Sequence, residues 1–524
     1  MLRFKPLSLM FGMACLLSWL ASSSAHAAVG IHGSFGSHMV LQRDKPVPVW
    51  GSATPGEEVT VEFAGQKKSV KADVKGKWKI TLDPLAASKK PQAMIVKGAT
   101  GAPIQFDDVL VGEVWLGLGA SNMMFSYEQQ ALDSKSRGEK DDVLAAIVAV
   151  DHPLIRFRRG KGWAPAMPEQ NKDSSALMLP FAVSLQKELD VPVGLIVSGM
   201  GSTTYGASKD AFEADPAYRE ALARARERFD EAKWKADLDK SLKAWEEACR
   251  KARAEGKPEP GKPREPLRPG YGNFGGFHND VIIRGIVWDQ GEGGTGIEGI
   301  DQPVALGALV RHWRKEWGQG DFPCLYIQKP AGGGCAWDPK DPVTRFASPF
   351  APLPKTMPVN ALGTYNKDRE EYHRIRENPG FFMVTSSDLG GHTHPTCKSG
   401  YGARAARVAL GGVYGRKIEI YGPVYKSHTV EGSKVRVQFT HVGQGLAFRH
   451  GDKLQGFALA GADKELHWAH AEIDGDTVVV SSPKVAAPEV VRYAWSGYPA
   501  WANLFNKDGL PALSFRTDNW ESKP

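Results

Sequence analysis

The chain has 524 residues, with 66 Lys and Arg against 59 Asp and Glu, a formal charge of +7. It is 42% hydrophobic and 24% charged, which excludes a mostly disordered chain. Its length suits roughly two to four domains. So mild a charge on so long a chain provides no concentrated basic face, so nucleic acid is not an expected partner.

Residues 1–27 read as a secretory signal peptide. Arg3 and Lys5 form a charged start, Leu7 to Ala21 is apolar but short for a bilayer span, and Ala25-His26-Ala27 is an A-x-A cleavage pattern. No later stretch holds about 18 consecutive apolar residues. The expectation is export, to the periplasm or outside the cell, with no membrane partner after cleavage. Cys249, Cys324, Cys335 and Cys397 then remain, scattered and without a CxxC pair. Cys324 and Cys335 flank a Gly-rich loop and are the first candidates for a disulfide, although spacing alone fixes no connectivity.

Residues 28–108 predict a β-sandwich segment. Val59–Phe63 and Trp78–Leu82 alternate apolar and polar residues, and Pro46, Pro48, Pro55, Gly56 and Gly76 punctuate them. Residues 109–420 change texture. Strand-like apolar runs at Val109–Leu118, Val193–Val197, Ile282–Trp288, Pro323–Ile327 and Phe381–Thr385 alternate with helical stretches such as Phe181–Leu189 and Leu306–Trp317. That pattern predicts an α/β parallel sheet with helices on both faces.

Residues 216–269 form an insertion within it. Pro216 to Glu255 carries 11 Lys and Arg against 9 Asp and Glu, with Leu222, Ala225 and Phe229 at helical spacing, as a solvated helical arm would. A Pro- and Lys-rich linker, Lys257–Pro269, follows it. Residues 421–524 return to β texture, with Val435–Phe439 and Thr477–Val480 as strands, and predict a C-terminal β-sandwich.

The chemistry lies at strand ends. The first strand of the α/β block runs into Gly117-Leu-Gly-Ala-Ser-Asn-Met123. A tight turn after a parallel strand lifts a hydroxyl clear of the chain at the sheet edge where ligands bind. Ser198-Gly-Met-Gly-Ser-Thr203, Asp289-Gln-Gly-Glu-Gly-Gly294 and Asp388-Leu-Gly-Gly-His-Thr-His-Pro395 end later strands, so all four turns cluster on one edge. Ser, then Gly-rich amide donors, then Asp and His is an order that an acyl-transfer site can have.

These segments resemble the sialate O-acetylesterase family within the SGNH hydrolases. The family stretch VGEVWL followed by SNM is matched by Val111–Leu116 and Ser121-Asn-Met123, and VPVGLI by Val191–Ile196. IRGVIWYQGESN is matched by Ile283–Glu292, WRKEWGQGDFP by Trp313–Pro323, and HPxxK by His394, Pro395 and Lys398. His38–Gln42 and the tail from Val491 to Asp518 match as well, so the likeness covers nearly the whole chain after residue 27.

The resemblance implies an SGNH-like fold and a serine esterase that removes O-acetyl groups from sugars, with no metal or cofactor. It implies Ser121 as nucleophile, His394 as general base, and the Ser121 and Gly201 amides as oxyanion donors. Gln290 is expected to assist them, with Glu292 behind the site.

Three positions depart from the family. Ala120 stands where the family has Gln, and Gly294 where it has an oxyanion-binding Asn. His392 stands where many members place the triad Asp, so Asp388 is taken as the acid that orients His394. The rival reading is a non-catalytic carbohydrate binder with a dismantled oxyanion site. His392, His394 and Cys397 also have spacing compatible with a metal site, but the esterase reading already accounts for His394. Trp288 and Tyr205 are candidates to stack on sugar, with core packing the ordinary role for each.

Overall fold

The structure is a computed structural model that describes residues 29–160, 162–291, 294–329, 350–355, 364–390, 392–496 and 499–520. The segment read as a signal peptide, Glu292 and Cys335 lie outside these residues.

The central strand is unusually long. It spans Ile104–Gly119 (β1), and its burial pattern changes along its length. Up to Asp108 half-buried and exposed positions alternate, as on a one-sided antiparallel strand. From Val109 onward every residue is buried, as in a parallel strand covered on both faces. Its first half pairs antiparallel with Ser88–Lys97, part of the N-terminal β layer. Its second half is the centre of the α/β sheet, so one strand crosses the change in texture near residue 108 without a break.

Six further strands complete that sheet: His152–Arg159 (β2), Gly162–Ala166 (β3), Val193–Gly199 (β4), Gly285–Asp289 (β5), Cys324–Ile327 (β6) and Phe381–Val384 (β7). Their order is β3-β2-β4-β1-β5-β6-β7, and all are parallel except the edge strand β3. The chain leaves β1 to one side, returns beside it as β4, and crosses to the other side as β5. The strand order thus reverses around β1, where open α/β sheets place their ligands.

Two apolar layers cover the sheet. Leu116, Leu118, Trp288 and Trp313 belong to one, and Trp115, Val287, Leu325 and Phe181 to the other. The helices Met178–Leu189 and Gln302–Trp317 cover these faces, and both contain the predicted helical stretches. The expected insertion is also helical. Asp215 and Asp230 side chains cap helices Pro216–Glu227 and Glu231–Ala254. The Pro-rich linker returns along the second helix, where Trp234 and Trp245 donate to Pro266 O and Pro260 O at 3.0 and 2.8 Å.

Near the C-terminus, two four-stranded antiparallel sheets enclose one core that includes Val437, Phe457, Val480 and Val491. The fold is therefore a mixed α/β sheet flanked by β layers. Cys249, Cys324 and Cys397 are buried. No helix among the described residues is long and apolar enough to cross a membrane.

Candidate active site

Three strand ends build the site. β1 stops at Gly119, and Ser121 opens a one-turn helix, Ser121–Met124. The Ala120 N–H donates to Asp289 O at the end of β5 (3.1 Å), and the Met200 N–H just past β4 donates to Gly119 O (2.6 Å). Gly119 permits this closeness. A Cβ there would lie 2.1 Å from Asp289 O, so no larger residue fits. Met123, fully buried, anchors the turn below.

His394 meets Ser121 across this edge. Its Nε2 lies 2.8 Å from Ser121 Oγ. Asn122 fastens the two loops together. Its side-chain N–H donates to Thr393 O at 2.8 Å, and its carbonyl accepts from the buried Lys398 ammonium at 2.6 Å. The Arg137 guanidinium donates to His394 O (2.9 Å), and Phe125 lies against the imidazole with ring centroids 4.6 Å apart. His394 is therefore held by backbone and ring contacts as well as by its own hydrogen bond.

The acid facing His394 is not the one expected. Asp388 is fully buried, and both its carboxylate oxygens accept from Arg404, at 3.0 and 2.8 Å. No ion pair joins Asp388 to His394. The carboxylate beside His394 Nδ1 is Asp133, at 3.6 Å, on helix Tyr127–Lys135. Burial pushes the Asp133 carboxyl upward, but the Arg137 hydrogen bond and charge, with His394, outweigh it and hold it below its ordinary value. Ser126 and Gln129 form a capping box that fixes the start of this helix.

The expected amide donors sit on adjacent strand ends. Gly119 and Gly199 are register partners, and Ser121 and Gly201 each lie two residues beyond. Neither amide has an acceptor among the described residues. Gln290 supports this edge in a different way from the one expected. Its side-chain N–H₂ donates to Gly201 O (3.3 Å) and Gly294 O (3.0 Å), so both its protons bind the loops.

Trp288 is fully buried against Trp313 and cannot meet sugar, whereas Tyr205 is 47% exposed beside Gly201. His392 faces Glu139 at 3.9 Å, away from the Ser121 contact of His394, and Cys397 is buried with its thiol pushed well up. Among the described residues no three His, Cys, Asp or Glu side chains converge as metal ligands.

Sequence reasoning missed Asp133, Arg137, Asn122 and Lys398. The last two stand inside the SNM and HPxxK motifs and had a signal. Asp133 and Arg137 belong to a polar stretch with no motif.

No family model matches the chain. Four curated proteins do, all named sialate O-acetylesterase. Sialate O-acetylesterase of Rattus norvegicus is 23% identical, over 94% of this chain and 94% of its own length. The Homo sapiens protein of the same name is 22% identical, over 94% of this chain and 92% of its own. Among solved structures, a carbohydrate acetylesterase from Xanthomonas citri superposes with a TM-score of 0.69 at 27% identity, over 94% of this chain and all of that one. Fold and relatives together define an esterase. Among esterases, the chain is similar to the sialate O-acetylesterases over 94% of its length.

Proposed function

We propose that this chain is a serine esterase that takes O-acetyl groups off carbohydrate through an acetyl-Ser121 intermediate. The 2.8 Å contact between Ser121 Oγ and His394 Nε2, at the switch point of the sheet, carries the reading. A hydroxyl becomes a useful nucleophile only beside a base of this kind.

His394 Nε2 takes the Ser121 proton as Oγ attacks the acetyl carbonyl. The Ser121 and Gly201 amides donate to the oxyanion, and Gln290 holds the Gly201 loop in place. His394 then gives its proton to the departing sugar oxygen. Water attacks the acetyl-enzyme with His394 again as base, and acetate leaves. Asp133, kept ionised by Arg137, steadies the imidazolium that forms in each half of the cycle. No step calls for a metal or cofactor.

Two features support an enzyme over a binding relative. Both reacting side chains are present in contact, and both proposed amide donors lack a competing acceptor. The substrate class is supported by the names of the sialate O-acetylesterases and of the Xanthomonas protein. Export is supported by the pattern of residues 1–27 alone.

The test is hydrolysis of p-nitrophenyl acetate by protein beginning at Ala28, beside Ser121→Ala and His394→Ala. Turnover lost in both folded variants supports the mechanism, and turnover equal in all three overturns it. Acetylated sialic acid and acetylated xylan then discriminate among substrates.

A further inference from the structure

The insertion of residues 216–269 takes no part in the chemistry above, yet its first helix forms one wall of a large cleft. The cleft measures about 730 Å³ and lies among four separate elements. Ala221, Arg224, Ala225 and Arg228 come from helix Pro216–Glu227 and the residue after it. Gly299 and Asp301 come from the residues just before helix Gln302–Trp317, and Val304 from that helix. Glu370, Glu371 and Arg374 come from helix Thr364–Arg374, and Arg516 and Trp520 from the C-terminal segment.

The far wall is held firmly. Arg492 and Asp518 form a buried two-pronged ion pair, both bonds 2.7 Å. Asp518 also accepts from the Trp520 N–H at 3.1 Å, Arg516 donates to Trp520 O at 3.0 Å, and the Arg492 guanidinium lies 5.2 Å from the Trp520 ring centre. The floor is small and close. Gly299, at φ +74°, would bring a Cβ within 3.1 Å of Ala225 Cβ.

Charge decides what fits. Four guanidinium groups line the cleft against the three carboxylates of Asp301, Glu370 and Glu371; Asp301 is paired with Arg374 at 3.2 Å, Glu370 with Arg516 at 3.0 Å, and Glu371 also has a partner. Arg228 has no acidic partner among the described residues, and Arg224 meets only Glu220 on its own helix. Guanidinium–carboxylate pairs also present fixed donors and acceptors to hydroxyl groups, and guanidinium forks match carboxylates. An indole beside such groups suits the face of a sugar ring. The volume falls within the range of ligand sites, but the lining is far more polar than that of an apolar small-molecule pocket.

We infer that this cleft is a second carbohydrate-binding site, which holds a carboxylate-bearing stretch of the polysaccharide whose acetyl groups the Ser121 site removes. Gly294, which accepts from Gln290 beside Gly201, and Gly299 and Asp301 of the cleft lie within eight residues of one another, so the two sites are neighbours in the sequence. The substrate assignment rests on the esterase reading, but the binding site is tested apart from turnover.

The experiment is affinity electrophoresis of full-length Ser121→Ala protein in gels containing polygalacturonate. Retardation is expected, weakening between 50 and 300 mM salt as screening grows. Adding Arg224→Ser and Arg228→Ser should cut apparent affinity about fivefold or more, as should Trp520→Ala in a folded protein. Adding Lys240→Ser and Lys243→Ser, which remove the same charge from the exposed side of the second insertion helix, should change little. An equal loss in both double variants means general charge attraction and overturns the site. So does an absence of retardation, or equal retardation by unacetylated xylan, which carries no such charge. Absence of p-nitrophenyl acetate turnover in the Ser121 protein would instead sink the esterase reading and leave the binding result standing.

Discussion

Asp133 Oδ1 lies 3.6 Å from Nδ1 of His394, on the side of the imidazole opposite Ser121. Arg137 donates to the other oxygen of the same carboxylate at 2.6 Å and holds its pKa below the ordinary value of 3.8. The carboxylate is therefore charged through the range in which an imidazole titrates. Asp133→Asn should lower kcat by about 10²–10⁴-fold with KM little changed, because the neutral amide cannot stabilise an imidazolium. Asp388→Asn should act differently. It strips a buried partner from Arg404 and should lower unfolding free energy by about 3–5 kcal/mol. Steady-state kinetics and denaturant unfolding on both variants separate these roles. Turnover lost in folded Asp388→Asn and kept in Asp133→Asn would reverse the assignment.

Gly294 occupies the position of the family's oxyanion Asn. It sits at φ +72°, and a Cβ there meets no atom of the described residues within 4 Å. Asn tolerates that left-handed conformation better than most residues, and the space for it is open. Loss of one oxyanion donor costs about 10²–10³-fold in rate, so restoring one has room to help. Gly294→Asn should fold normally and raise kcat on p-nitrophenyl acetate about tenfold or more. Unchanged kcat in a folded variant would mean that the amides of Ser121 and Gly201 already saturate the oxyanion.

Much of the sheet was legible because its strands are continuous apolar runs, which only two-sided burial explains. β2 was not, since Arg156 and Arg158 break its apolar pattern. Arg156 is nonetheless buried, because Asp108 from β1 meets it at 3.0 Å. Helix Lys398–Gly412 was also hidden by four glycines of low helical propensity. It forms because tertiary packing prevails. A Cβ on Gly402 would lie 2.7 Å from Leu177 O, so the glycine lets it approach helix Met178–Leu189 closely. In the site, Ser121 and His394 were legible from turns and motifs. Asp133 was not, because which carboxylate faces His394 depends on where its helix lands and not on its neighbours in sequence.

Tyr205 offers the exposed aromatic face nearest the amide donors. A Cβ on Gly201 would lie 3.1 Å from its ring, so the phenol borders the space where an acetyl group is expected. A sugar carrying that acetyl would extend across the ring. Tyr205→Ala should raise KM for an acetylated oligosaccharide about five- to tenfold while kcat stays within about twofold, the pattern of lost uniform binding. A matching fall in kcat would show that the ring orients the reacting ester, and unchanged KM would remove Tyr205 from substrate recognition.

Glu113 explains three motifs that carry no chemistry. It is fully buried, and it accepts from Arg43 Nε at 2.5 Å, Arg284 Nε at 2.7 Å and Gln42 Nε2 at 3.1 Å. Gln42, Glu113 and Arg284 stand in three separate family stretches, which this carboxylate joins behind the sheet. Burial pushes its pKa up, but the two guanidinium groups and Gln42 outweigh burial and hold it below the ordinary 4.5. Because the folded value is depressed, this stabilisation is present above pH 4.5 and is lost as pH falls through the folded value. Glu113→Gln should therefore cost about 3–5 kcal/mol near pH 7, leaving two half-buried guanidinium groups short of charge. The gap between the original protein and the variant should narrow in acid. Denaturant unfolding from pH 7 down to pH 3 measures both effects, and a gap that stays constant over that range would mean that the carboxylate's charge contributes nothing.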